Sequence, residues 1–257
     1  MQHKKGFVTT ILLIAGLYSN ALFSQVGGVS SNLLASYNAL PVPKNVLELE
    51  PTFSYSRSLG FFNSDGNYTN SSGVNIASSL YFRATYGVSD ILEIGAGLAT
   101  TLDVLNLGAK LHLLGNDDFG LALMGGINSD ITSGARLLSS LERQFIVGVA
   151  GHYLFSKQLS INATIQYQDI RLYQGSDLFI NSELGYYINK NTLGIVGFGY
   201  SRFSNSESPE SKLFSLFPGF ALERTNIIIV FQGQFDLFGN NIMSTNGISV
   251  SLTQLID

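Results

Sequence analysis

The sequence predicts an all-β fold: a transmembrane up-and-down antiparallel β-barrel of about 12 strands. Three observations predict it. Apolar and polar residues alternate from about residue 46 to the end, only 12% of the residues are charged, and a secretory-type leader opens a chain with no cysteine. Residues 159–168 (LSINATIQYQ) show the alternation best. Leu159, Ile161, Ala163, Ile165 and Tyr167 fall on one face of an extended strand, and Ser160, Asn162, Thr164, Gln166 and Gln168 on the other. A period of two means strand, because successive side chains point to opposite faces. The polar face is amide and hydroxyl, not the Lys/Glu mixture of a soluble antiparallel sheet with one face in water. Lipid on one side and an aqueous lumen on the other account for that pairing.

Soluble domains average about 25% charged residues, roughly twice the fraction here. After the N-terminus no stretch carries the ~18 uninterrupted apolar residues of a membrane helix. The 27 glycines suit close packing and tight turns, and 18 Phe with 12 Tyr supply material for interfacial girdles in the absence of Trp.

Residues 1–25 read as a signal peptide: a basic start at His3-Lys4-Lys5, an apolar run from Phe7 to Tyr18, and a small polar exit with cleavage near Ser24-Gln25. Residues 26–45 lack alternation and are broken by Gly27, Gly28, Pro41 and Pro43, so they read as a periplasmic lead-in or, alternatively, a short plug entering the barrel. Residues 46–257 form the barrel. Its expected strands are 46–56, 74–86, 91–101, 106–114, 119–128, 142–155, 159–169, 177–188, 192–203, 212–223, 227–238 and 247–256. An even count leaves both termini in the periplasm. The short turns at 87–90, 115–118, 156–158, 189–191 and 224–226 mark the periplasmic side, and the polar loops 57–72, 129–140 and 204–211 the outside.

The expected lumen face holds Glu48, Glu50, Arg83, Glu93, Lys110 and His112 as a charge belt, brought to similar depth by four consecutive strands. Gln166, Gln168, Glu183, Gln232, Gln234 and Asp236 complete the polar lining. Opposite charges at neighbouring positions pair across strands. Such a belt either rigidifies the barrel or filters solutes by charge, as rings of charged side chains do in pores.

An enzyme is not expected. No GxSxG, HExxH, GxxxxGK[ST] or calcium-loop pattern occurs. The two histidines outside the leader, His112 and His152, lie near strand ends without a nucleophile context. Asp65-Gly66-Asn67 and Asn116-Asp117-Asp118 read as turn chemistry, so no metal site and no cofactor is expected. A net charge of −4 without a basic run excludes a nucleic-acid footprint.

Three stretches carry a family resemblance: Pro43 to Pro51 (PKNVLELEP), Tyr86 to Gly95 (YGVSDILEIG) and Leu105 to Leu114 (LNLGAKLHLL). The first third of the mature chain thereby resembles a family of small outer-membrane barrels named as transporters and linked to the meta pathway of phenol degradation. In that family a proline-lysine start opens the first strand, and a Tyr-Gly hairpin and a Gly-x-Lys strand follow. Glu50, Glu93 and Lys110 occupy the matching positions. The ending Leu255-Ile256-Asp257 departs from the usual outer-membrane pattern in lacking a terminal aromatic. The resemblance implies uptake or efflux of small molecules. The expected function is an outer-membrane channel or transporter for small solutes, aromatic or amphipathic ones included. The alternatives are a structural or adhesion barrel with a closed lumen and, further off, a lipid-modifying enzyme. The expected partners are outer-membrane lipids, the small-molecule solute and the barrel assembly machinery, with no nucleic acid.

Overall fold

The computed structural model describes residues 26, 28–30, 36–70, 73, 75–99, 104–116, 118–130, 143–170, 175–206 and 208–257. The expected signal peptide and most of the expected loop 129–140 lie outside the described residues. The strands are β1 (Leu47–Phe62), β2 (Tyr68–Asn70), β3 (Ile76–Ser89), β4 (Leu92–Ala99), β5 (Val104–Gly115), β6 (Phe119–Asp130), β7 (Arg143–Ser156), β8 (Leu159–Ile170), β9 (Gly175–Asn189), β10 (Thr192–Asn205), β11 (Ser208–Arg224), β12 (Ile227–Asn240) and β13 (Ile242–Ile256). Each long strand pairs antiparallel with its sequence neighbour, and β13 pairs with β1 from Leu47↔Ile256 to Phe62↔Ile242. That last ladder closes a barrel of twelve long strands and leaves none of the twelve as an open edge. The three-residue β2 folds back on the end of β1, pairing Gly60 with Asn70.

Side chains close the turns at one end. Asn116 Oδ1 accepts from the amides of Asp118 and Phe119, Ser156 Oγ from those of Gln158 and Leu159, and Asn189 Oδ1 from that of Asn191. This is the Asx- and Ser-turn chemistry that these residue types favour. The start of β1 and the end of β13 lie at the same end.

Three strands run further than the alternation indicates. β1 continues through Arg57 to Phe62, β11 begins at Ser208, and β13 begins at Ile242, leaving only Asn241, at φ 51°, between β12 and β13. Residues 57–62 and 208–211 are therefore strand, not loop as expected. The reason is physical: apolar-polar alternation is demanded only across the hydrocarbon, a band about 25 Å tall. Strand ends that rise into water follow no such rule. Register shifts between Ser58 and Gly60 and between Phe203 and Asn205 further blur the pattern there.

The two faces differ as an outer-membrane barrel requires. Phe53, Phe82, Leu107, Val147, Ile165 and Phe198 stand exposed on the outside. Glu48, Thr85, Asn106, Thr164, Gln166 and Ser251 are buried inside. Ile165, 53% exposed, gives a test. Ile165→Arg is expected to cost about 2–4 kcal/mol in refolding titrations into bilayers, as cations do at the lipid midplane. Gln158→Arg, in a solvated turn, should stay within about 0.5 kcal/mol. Equal losses would overturn the assignment of faces.

Candidate functional site

Among the described residues the lumen has two ion-paired groups near the short-turn end. Arg83 of β3 sits opposite Glu50 of β1 in the ladder, and its Nη2 donates to Glu50 Oε2 at 2.7 Å and Glu48 Oε1 at 3.2 Å. Thr253 and Thr52 donate to the same Glu50 carboxylate at 2.8 and 3.1 Å. Glu93 of β4 sits opposite Lys110 of β5, with 3.2 Å between Nζ and Oε1, and both side chains are 0% exposed. Cross-strand register thus places each acid beside its base.

The Glu93–Lys110 pair is completed by the N-terminal segment. The Ser30 amide donates to Glu93 Oε1 at 2.6 Å, the Ser30 hydroxyl to Oε2 at 2.7 Å, and the Val42 amide to Oε2 at 2.7 Å. Lys110 Nζ donates to Ser30 Oγ at 2.7 Å and to the carbonyls of Asn38 and Ser30 at 3.0 and 3.2 Å. Breaking a buried ion pair exposes the surviving charge to an uncompensated desolvation cost. These extra bonds are what make the pair tolerable at full burial.

A second anchor lies deeper. Glu183 of β9 accepts from the amide and hydroxyl of Ser36 and from Gln232 Nε2 at 2.6 Å. Gln166 Oε1 accepts from the Val26 amide at 3.0 Å, and Thr164 Oγ1 from the Tyr37 amide at 2.9 Å. Val26, Val29 and Tyr37 also pack with Met124, Ile146 and Ala150 in an apolar cluster on the inner wall. Burial holds the Tyr37 phenol well above its ordinary range, so it stays a neutral donor to the Val26 carbonyl.

Two wall glycines make room for the segment. A Cβ on Gly87 would collide with the Pro43 carbonyl, and one on Gly95 with the Gly28 carbonyl. Gly87→Val is therefore expected to push residues 42–43 off the wall. Overpacking of 1–3 kcal/mol corresponds to roughly 5- to 150-fold in exposure of the displaced segment. The reporter is maleimide labelling of Ala39→Cys, which is 0% exposed in a chain without native cysteine. An unchanged labelling rate would contradict the fit.

The other expected lumen residues are placed as follows. His112 Nδ1 lies 3.2 Å from the Ala39 carbonyl, outside both ion pairs. Gln168 Nε2 donates to Gln144 Oε1 at 2.6 Å. Gln234 donates to Asp236 at 3.1 Å, and Asp236 also accepts from Ser215 and from the Thr245 amide, both at 2.7 Å. Sequence reasoning missed Ser30, Ser36 and Tyr37, and Thr85 and the two glycines opposite them on the wall, where the Thr85 hydroxyl donates to the Gly28 carbonyl at 3.0 Å, because the N-terminal segment has no periodicity to place it. Among the described residues, no three His, Cys, Asp or Glu side chains converge to hold a metal ion.

No protein-family model matches the chain, and no curated protein matches its sequence. Solved structures do match. An outer-membrane channel from Pseudomonas putida F1 superposes with a TM-score of 0.66 at 11% identity, over 85% of this chain and 98% of the other. The fold is that of the outer-membrane β-barrels. The NanC porin matches at 0.54 and 8% identity, over 80% of this chain and 98% of its own. The KdgM porin in complex with disordered oligogalacturonate matches at 0.51 and 11% identity, over the same shares of 80% and 98%. Among the described residues of this barrel the buried acids are Glu48, Glu50, Glu93, Asp177, Glu183 and Asp236, against two buried bases, Arg83 and Lys110.

Proposed function

We propose that the protein is an outer-membrane channel or transporter for small solutes, with residues 26–45 acting as a plug in its lumen. The wall itself carries this reading. Along most of the barrel the inward positions hold Glu, Gln, Asn, Ser and Thr, the polar interior of outer-membrane barrels that hold a channel or a plug. The bonds from Ser30, Ser36, Tyr37 and Val42 to wall side chains support the plug over the lead-in.

The excess of acids over bases favours neutral or cationic solutes. Oligogalacturonate, present with the KdgM porin, is a polyanion, and this lumen offers it little. Aromatic and amphipathic solutes suit the inner aromatic pair Phe179–Phe203, whose rings meet edge to face at 5.8 Å. They also suit the resemblance to the phenol-pathway transporters.

Planar-bilayer recording of the full chain and of a chain lacking residues 26–45 tests the proposal. The shortened barrel should conduct steadily and prefer cations, and the full chain should conduct far less. Silence from both would favour the closed structural barrel.

A further inference from the structure

The outer surface of β10, β11 and β12 carries an ordered set of rows. Arg202, Lys212 and Asn240 are register partners across the three strands. Two residues closer to the short turns, Tyr200, Phe214 and Phe238 form the next row, and Phe198, Leu216 and Phe235 lie below it. The intervening Gly199, Leu213 and Ser215 are buried, so the rows face outward. The rings of Phe214 and Phe238 stack at 4.7 Å and 5°, and Phe198 lies 6.2 Å from Phe214. Arg202 and Lys212 are 48% and 45% exposed, and both reach Glu210, which leaves this trio one positive charge in excess.

The height of the cation row follows from the strand. Arg202 lies ten residues from Thr192, at the short turn. At ~3.3 Å per residue and a tilt of ~40° this is about 25 Å, the height of the apolar band. The cations therefore stand at the water interface remote from the short turns, with the aromatic rows in hydrocarbon beneath them.

We propose that this surface is a binding site for a phosphorylated, multiply acylated glycolipid of the outer leaflet. A phosphate sits between Arg202 and Lys212, whose Cα atoms are about 5 Å apart as ladder partners. The guanidinium fork and the ammonium share its oxygens. The acyl chains lie on Phe214, Phe238 and Phe198. Free phosphate gains only the two half-solvated cations, whereas the lipid gains the cations and the aromatic floor together. The inference rests on the outer-membrane placement with short turns toward the periplasm, and is independent of whether the lumen conducts. Glu210 competes with the phosphate for both cations.

Native mass spectrometry of the full-length barrel in detergent, titrated with bisphosphorylated lipid A, tests the site. A basic residue near an anionic lipid surface contributes roughly fivefold in affinity, so Arg202→Ala with Lys212→Ala should weaken binding about 25-fold. Glu210→Gln should tighten it. Dephosphorylated lipid A should bind the unaltered barrel no better than bisphosphorylated lipid A binds the double variant, and millimolar inorganic phosphate should not displace the lipid. The same charge loss on the opposite rim, Lys157→Ala with Lys190→Ala, should leave binding unchanged. Equal affinity of the double variant, an equal loss from the opposite rim, or equal binding of phosphatidylglycerol would overturn the proposal.

Discussion

Lys110→Ala is expected to destabilise the folded barrel by about 3–5 kcal/mol, the cost of leaving one member of a buried pair alone. Glu93 would keep its bonds from Ser30 and Val42 but lose its only ion-pair cation among the described residues, at 0% exposure. The Asn38 and Ser30 carbonyls would lose a donor at the same time. Lys157→Ala, in an exposed turn, should stay within about 0.5 kcal/mol. Urea titration of barrels refolded into bilayers measures both. The variant should also shift the reversal potential toward cations if the belt faces permeating ions. Lowered stability with an unchanged reversal potential would leave the belt a purely structural role, and no change in either would mean that the network does not form.

Arg83→Ala should cost a similar 3–5 kcal/mol, with a different remedy. Arg83 separates Glu48 and Glu50, which point the same way from one strand and are both buried. Without the guanidinium two carboxylates share one site. Adding Glu50→Gln should therefore recover part of the loss, because residues in one ion-pair network couple by about 0.5–3 kcal/mol. Additive losses in the Arg83/Glu50 cycle would show that the bonds at 2.7 and 3.2 Å do not act as a unit.

The barrel was legible in the sequence because lipid and water impose a rule on every residue between them. Leu159 to Gln168 obey it without exception, and the structure turns Ser160, Asn162, Thr164, Gln166 and Gln168 inward as buried residues. Where the rule lapses, the reading failed: Arg57 to Phe62 and the start of β11 are strand with no apolar-polar alternation to announce them. The ion pairs were legible as residue types on facing strands, since Glu50↔Arg83 and Glu93↔Lys110 are ladder partners. Their bonds to the N-terminal segment were not. Ser30 and Ser36 look like any other serines, and nothing local links them to acids 63 and 147 residues away.

The N-terminal segment is continuous with β1: the Val46 carbonyl accepts from Gly87, and Leu47 begins the strand. Displacement from the lumen therefore does not release it. If it plugs the lumen as proposed, so short a leash returns it at an effective concentration of order millimolar, whatever the amount of protein in the membrane. Reclosure is unimolecular, and openings of the full chain should be brief flickers whose length is independent of protein density. A free peptide with the sequence of residues 26–45 would have to reach similar millimolar levels in the periplasmic chamber before it silenced a barrel from which that segment had been removed.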